Sequence, residues 1–178
     1  MKLIVGLGNR GDKYKLNRHN VGFLAIDYLV NEFNASKLSF SKGNLFKNRS
    51  FLFLKPSTFM NNSGESIVLV KNFYKIDNEN IIVIHDDIDL KLGALKFKKG
   101  GSSGGHNGLK SIDKYIENDY YRVRIGIGRP EKKEEVVNYV LSDFSKDEFN
   151  CIKTLFPKIK LAIEDIKSAS SKYSQKEC

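Results

Sequence analysis

The side chains able to do chemistry fall in four short stretches, each rich in amides, carboxylates or imidazoles: GLGNRG with RHN, FMNNSG, IHDDID and GGSSGGHNG. They contribute Asn9, His19, Asn61, Asp86, His106 and Asn107. A carboxylate bonded to one imidazole nitrogen fixes the tautomer and stabilises the imidazolium, so a His and Asp pair can activate water without a metal. Uncharged amides can hold a polar substrate backbone and donate to a developing oxyanion. Together these residue types point to ester or amide hydrolysis.

The elements that must position these groups alternate between strand and helix. Strand patterns cover Lys2–Leu7, Phe51–Leu54, Ile81–Ile84, Leu95–Lys98 and Arg122–Ile127, and the stretch from Phe40 to Phe53 suits a hairpin. Helical periods begin at Val21, with Asn20 as N-cap, and recur over Glu65–Tyr74, Asn107–Ile116 and Glu134–Leu141. A long helix is expected from Lys146 to Ile166, carrying Pro157. This alternation predicts an α/β fold: one domain, a twisted mixed and largely parallel β-sheet, and helices on both faces. The four polar stretches then lie at or near the carboxyl ends of strands, where open α/β sheets place their ligands.

Glycines at 6, 8 and 11 reproduce the spacing G-x-G-x-x-G. A dinucleotide site also needs a helix that starts within the motif and an acid at the end of the second strand. Here the glycines run into the polar segment DKYKLNRHN, and Asp27 falls inside a helix, so the fingerprint fails its context. The glycines are expected to supply a tight turn that delivers Asn9 and His19 to the sheet edge.

The 178 residues carry thirty Lys plus Arg against twenty-one Asp plus Glu, a formal charge of +9. That surplus suits a polyanionic partner, although a soluble Lys-rich surface gives the same number. Cys151 and Cys178 suggest neither a disulfide nor a metal framework, no apolar run reaches membrane-spanning length, and no leader pattern opens the chain. A soluble cytoplasmic protein is expected, with residues 1–168 as the domain and 169–178, rich in Ser and Lys, as a frayed or disordered tail.

Five segments in order, VGLGN…Y…RHNVG, KPSTFMNNSG, HDDIDL, GGSSGGHNGLKSI and YRVRIGIGRP, resemble the bacterial peptidyl-tRNA hydrolases. The resemblance implies cleavage of the ester between a peptide and the 3′ adenosine of tRNA, with no cofactor and no metal. It makes His19 the base and Asp86 its orienting partner. Asn9, Asn61 and Asn107 match amides that position the peptidyl portion, the attacking water and the oxyanion. Tyr14, Phe59 and Met60 match positions near the peptide channel and terminal adenosine, and His106 is assigned to substrate binding. Lys96, Lys98 and Arg124 match basic residues near tRNA phosphates, with Lys99 extending the patch. The implied partner is peptidyl-tRNA, through its acceptor stem and CCA end, bound by a monomer with no membrane. Arg10 stands where the family usually has proline, and Ser102 and Ser103 replace part of the usual glycine-rich loop.

Two other readings compete. A non-catalytic RNA-binding protein on the same fold would keep the basic surface without turnover. A metal-dependent phosphohydrolase would use the carboxylates of HDDID as Mg²⁺ or Mn²⁺ ligands. His85, next to Asp86 on a strand, is expected to point away from it and to be structural.

Overall fold

The computed structural model describes all residues 1–178. In chain order its elements are β1 (Lys2–Gly6), α1 (Val21–Glu32), β2 (Ser36–Leu38), β3 (Gly43–Lys47), β4 (Phe51–Pro56), α2 (Ser63–Tyr74), β5 (Ile81–Asp87), β6 (Leu95–Lys99), α3 (Asn107–Ile116), β7 (Tyr121–Gly126), α4 (Val136–Val140), α5 (Lys146–Lys153), α6 (Phe156–Glu164) and α7 (Ala169–Tyr173). Seven strands form one sheet in the order β2-β3-β4-β1-β5-β7-β6. The four central strands β4, β1, β5 and β7 run parallel, while β2, β3 and β6 add antiparallel edges. No helix is long and apolar enough to cross a membrane.

Strand segments buried on both faces are apolar, as over Leu3–Val5, Phe51–Leu54 and Ile81–Ile84, and the period-two alternation of side chains assigns each residue to one of two cores. On one face Ile4, Ile82, Ile84, Val123 and Ile125 pack with Val21, Ala25, Ile26 and Leu29 of α1 and with Phe156, Ile159 and Ile163 of α6. On the other, Leu3, Val5, Leu52, Leu54, Ile81 and Val83 pack with Ile67 and Val70 of α2 and Leu109 and Ile112 of α3. The expected mixed sheet with helices on both faces is the observed one.

The glycine motif has a steric purpose. A Cβ on Gly6 would collide with the carbonyl of Gly22 in α1, and one on Gly22 would collide with the backbone of Leu7 and Ile84. These two glycines let α1 lie directly on β1 and β5, which brings the residues just before α1 over the strand ends.

Four expectations need correction. Asn20 begins α1 without a side-chain cap bond, because its amide is engaged by Asn9 instead. The long C-terminal helix is two, α5 and α6, with Pro157 in the first turn of α6; proline has no N–H and its ring would clash with the carbonyl four residues back, so the two cannot be continuous. Residues 169–178 fold back onto the sheet: Ala169 is fully buried, and Gln175 exchanges backbone hydrogen bonds with Leu95 of β6 at 2.8 and 2.9 Å. That return places Cys178 beside Cys151 of α5 as a disulfide pair, 27 residues apart in the chain, packed against the turn at Gly93.

Candidate active site

His19 lies in a 3-10 turn over Arg18–Asn20 that leads into α1, and Asp86 is the penultimate residue of β5. The Leu7 backbone N–H donates to the carbonyl of Ile84 at 3.1 Å, tying the loop after β1 to β5. His19 Nδ1 sits 2.7 Å from Asp86 Oδ2. Because a carboxylate only accepts, Nδ1 carries the proton, and Nε2 is left as a bare lone pair at the cleft that His19 lines. Burial opposes charging of the imidazole, but the charge of Asp86 and its hydrogen bond outweigh it and hold the His19 pKa above its ordinary 6.5.

His106 occupies the other oxygen of Asp86. Its Nδ1 accepts from the N–H groups of Gly108 and Leu109, capping α3, so the proton sits on Nε2 and is donated to Asp86 Oδ1 at 2.7 Å. Asp86, 2 % exposed, thus receives one imidazole N–H on each oxygen. Burial disfavours its charge, yet the adjacent His19 and His106, with both hydrogen bonds, hold its carboxyl well below the usual carboxylate range. His106 therefore serves as a cap and as a donor to Asp86, a structural duty beyond the substrate contact expected of it.

His85 follows the strand alternation to the α3 side, where its ring stands edge-on to His106 at 5.3 Å. Its Nδ1 donates to the carbonyl of Asp86 at 2.8 Å, and its Nε2 is buried without a partner. Burial and the neighbouring His106 push its pKa down to about 4, so it is neutral near pH 7.

Asn9 follows β1 and is 8 % exposed. Its Oδ1 accepts from the Met60 N–H at 2.8 Å, which fixes the amide orientation and leaves Nδ2 as a donor with no protein partner. Asn20 holds Asn9 from behind, accepting from its N–H at 2.8 Å and donating to its carbonyl at 2.9 Å. Asn61 and Asn107 are exposed at the cleft; neither caps a helix, since Asn62 and His106 hold those positions.

Asn9, His19, Phe59, Met60, Asn61, Asp86, His106 and Asn107 all line one cleft of about 800 Å³, and Lys98 and Arg124 extend its wall. Tyr14 and Lys96 lie outside that lining. Tyr14 is half-buried beneath Lys13, whose Nζ is 4.9 Å from the ring centroid. Lys96 pairs across the sheet with Arg124, and Lys98 with Arg122; cross-strand partners share a face, so Lys96, Lys98 and Arg124 form one basic stripe beside the cleft, with the buried Arg122 beneath it.

Three features went unread in the sequence. Val136, Val137, Val140 and Leu141, on and just after α4, supply an apolar wall of the cleft, signalled only by a short apolar run inside a polar segment. Arg122, 2 % exposed, donates to the carbonyls of Ser102 and Gly101 and anchors the glycine-rich loop. Arg18 reaches Glu148 at 2.8 Å and lies over the Tyr139 ring at 4.4 Å, tying the turn that carries His19 to the α4–α5 region.

A group that could hold a metal is His19, Asp86 and His106. Their facing atoms already pair with one another, and the second nitrogen of His106 is held by backbone N–H groups. An ion would have to displace both 2.7 Å hydrogen bonds. The acidic cluster after Asp86 is no better disposed: Asp87 Oδ2 receives Arg124 Nε at 2.8 Å, and Asp89 pairs with Arg129. Guanidinium groups stand where a phosphohydrolase would need its cations.

A family model described as peptidyl-tRNA hydrolase matches residues 3–178. A peptidyl-tRNA hydrolase of Aliarcobacter butzleri is 54% identical over 171 residues, 95% of this chain and 93% of that one. One of Campylobacter jejuni is 54% identical over 185 aligned residues, covering 99% of both. Among solved structures, the peptidyl-tRNA hydrolase of Acinetobacter baumannii superposes with a TM-score of 0.93 at 32% identity, over 99% of this chain and 96% of that one.

Proposed function

The chain belongs to the peptidyl-tRNA hydrolase family, and from that premise we propose that it hydrolyses the ester joining a peptide, or an N-blocked amino acid, to the 3′ adenosine of tRNA, with His19 as general base. His19 Nε2 takes a proton from water as the oxygen attacks the ester carbonyl. Asp86 keeps Nδ1 protonated and stabilises the imidazolium that forms. The Nδ2 of Asn9 donates to the developing oxyanion, while Asn61 and Asn107 hold the water and the peptide backbone. Collapse of the tetrahedral intermediate breaks the bond to the ribose oxygen, which receives the proton from His19. Free tRNA and peptide leave.

Phe59 and Met60 border the terminal adenosine and Tyr14 the outer path of the peptide, with Lys96, Lys98 and Arg124 against phosphates of the acceptor stem and CCA end. Such contacts orient RNA without reading its sequence. The protein acts as a monomer, in the cytoplasm where its substrate arises.

The observation that carries the reading is the 2.7 Å bond between His19 Nδ1 and Asp86 Oδ2, with Nε2 bare at the cleft. The test is release of peptide from an N-blocked aminoacyl-tRNA in the presence of chelator, for the wild type and His19→Ala. Turnover in the wild type that falls by a factor on the order of 10² to 10⁴ in the variant, with tRNA binding retained, is expected. A fully active His19→Ala protein would sink the assignment of the base. A folded wild type that binds tRNA without cleaving it would favour a binding protein on this fold.

A further inference from the structure

Arg10 is the residue immediately after Asn9 and is exposed. Its guanidinium carbon lies 5.2 Å from the centroid of the Phe59 ring, and none of the ion pairs in the molecule involves it. Phe59 is 41% exposed and forms part of the cleft wall. Its backbone has φ 59 and ψ 162, a conformation that costs a bulky L-residue energy and persists only where neighbours impose it. The neighbours are on both sides. Met60 N–H is held by Asn9 Oδ1 at 2.8 Å and Met60 O by Ser63 Oγ at 2.8 Å, while Phe59 O accepts from Asn62 N–H at 3.1 Å.

The Asn9–Met60 bond thus links two chain segments so that the residue after Asn9 lies over the residue before Met60. We propose that Arg10, laid on the ring of Phe59 at the rim of the cleft, is a further substrate contact whose guanidinium binds a phosphodiester near the scissile ester. A guanidinium laid on a ring keeps its planar N–H edge free for bidentate bonds to phosphate oxygens. Every substrate molecule carries that phosphodiester, whereas an acidic side chain in the peptide would be present only in some. A cation fixed by the fold, with no acid of its own, matches the constant anion. The proposal rests on the hydrolase reading and makes Arg10 a determinant of substrate affinity that leaves the water-activating dyad alone.

The experiment compares wild type, Arg10→Ala and Arg10→Lys on an N-acetyl-aminoacyl-tRNA between about 50 and 200 mM salt, alongside binding of uncharged tRNA. Arg10→Ala is expected to raise KM roughly fivefold, the size of one charge-assisted contact at a partly exposed site, with the loss seen in KM and not in kcat. Losing one phosphate contact should also lower the slope of log KM against log salt by about 0.7. Arg10→Lys should recover the slope and only part of KM, since an ammonium is a point charge without the planar fork. An unchanged KM, or a rise confined to substrates whose peptide carries an acid, overturns the phosphate contact. Should the wild type show no turnover, the hydrolase reading fails. The Arg10 contact is then judged on uncharged tRNA alone, where a matching loss of affinity in Arg10→Ala supports it and equal affinity overturns it.

Discussion

Asn20 grips both backbone polar groups of Asn9, accepting from its N–H at 2.8 Å and donating to its carbonyl at 2.9 Å. Asn20 is itself 2 % exposed and follows His19 directly, so one amide couples the turn that carries the candidate base to the residue proposed as the oxyanion donor. Asn20→Ala leaves a buried N–H and a buried carbonyl without partners, each costing about 1–3 kcal/mol. The variant is expected to unfold at lower urea and to lose kcat, because Asn9 is no longer held. Asn20→Asp keeps the acceptor, loses the donor and buries a charge, so it should rescue neither. A variant with unchanged stability and kcat would show that Asn9 is held by Met60 alone.

The pH dependence follows from the His19–Asp86 pair. Burial works against the imidazolium, but Asp86 overrides it and raises the His19 pKa above 6.5. The base works only when neutral, so kcat/KM should climb with pH through an apparent pKa above that value. Stability runs the other way: a raised folded pKa means the pair stabilises fully below the unfolded value and loses that contribution as pH rises through the folded one. Asp86→Asn removes the carboxylate, and the limb should then shift below that of the wild type while the rate falls. Rate profiles with coincident limbs for the two proteins would exclude His19 as the titrating group.

His106 separates two roles that a single substitution can divide. Asn is among the best N-caps but is too short to reach Asp86 as the imidazole does. His106→Asn should therefore keep α3 capped and leave Asp86 with one donor instead of two. The carboxylate charge then falls more heavily on His19, and the acid limb of kcat/KM should move up in pH. His106→Ala loses the cap as well, at about 0.5–2 kcal/mol. Equal stability of the Asn and Ala variants would mean that the cap contributes nothing, and an unmoved limb in both would mean that Asp86 does not depend on His106.

Much of this arrangement is legible from local chemistry, and what escapes is long-range. The strands β1, β4 and β5 announce themselves through apolar runs buried on both faces, and β7 through the alternation YRVRIG, while the polar stretches at their ends place His19, Asp86 and Asn9 at one sheet edge. The amide of Asn20 reads as a helix cap because caps are local, whereas its true partner lies eleven residues back. His106 reads as a loop residue because only the fold brings it within reach of Asp86. Lys96 is legible as one of a basic pair, but its neighbour Arg124, paired with Asp87, is what reaches the cleft. The tail misleads most: KSASSKYSQKEC has no apolar period, and its order comes from the buried Ala169 and from Gln175, which forms a single backbone bridge with Leu95 on the edge strand β6.

That returning tail makes the Cys151–Cys178 pair sensitive to conditions. The cross-link closes a loop of 27 residues, for which chain entropy gives about 3–4 kcal/mol of stabilisation. In a chain of this size that corresponds to roughly 6–16 °C in the melting temperature. Such pairs persist in oxidising surroundings and are kept reduced by thiol buffers. Wild-type protein treated with oxidised glutathione should melt higher than the same protein in dithiothreitol, by that order, and Cys151→Ser should melt at the lower temperature in both. The bond fastens the tail to the turn at Gly93 and to α5, and neither cysteine lines the cleft or joins the hydrogen bonds that align His19, so kcat should not follow the redox state. A wild type that melts at one temperature under both treatments would mean that the thiols do not join in solution. A kcat that tracks the oxidant would mean instead that β6, held by Gln175 at Leu95, transmits the state of the tail to the basic stripe beside the cleft.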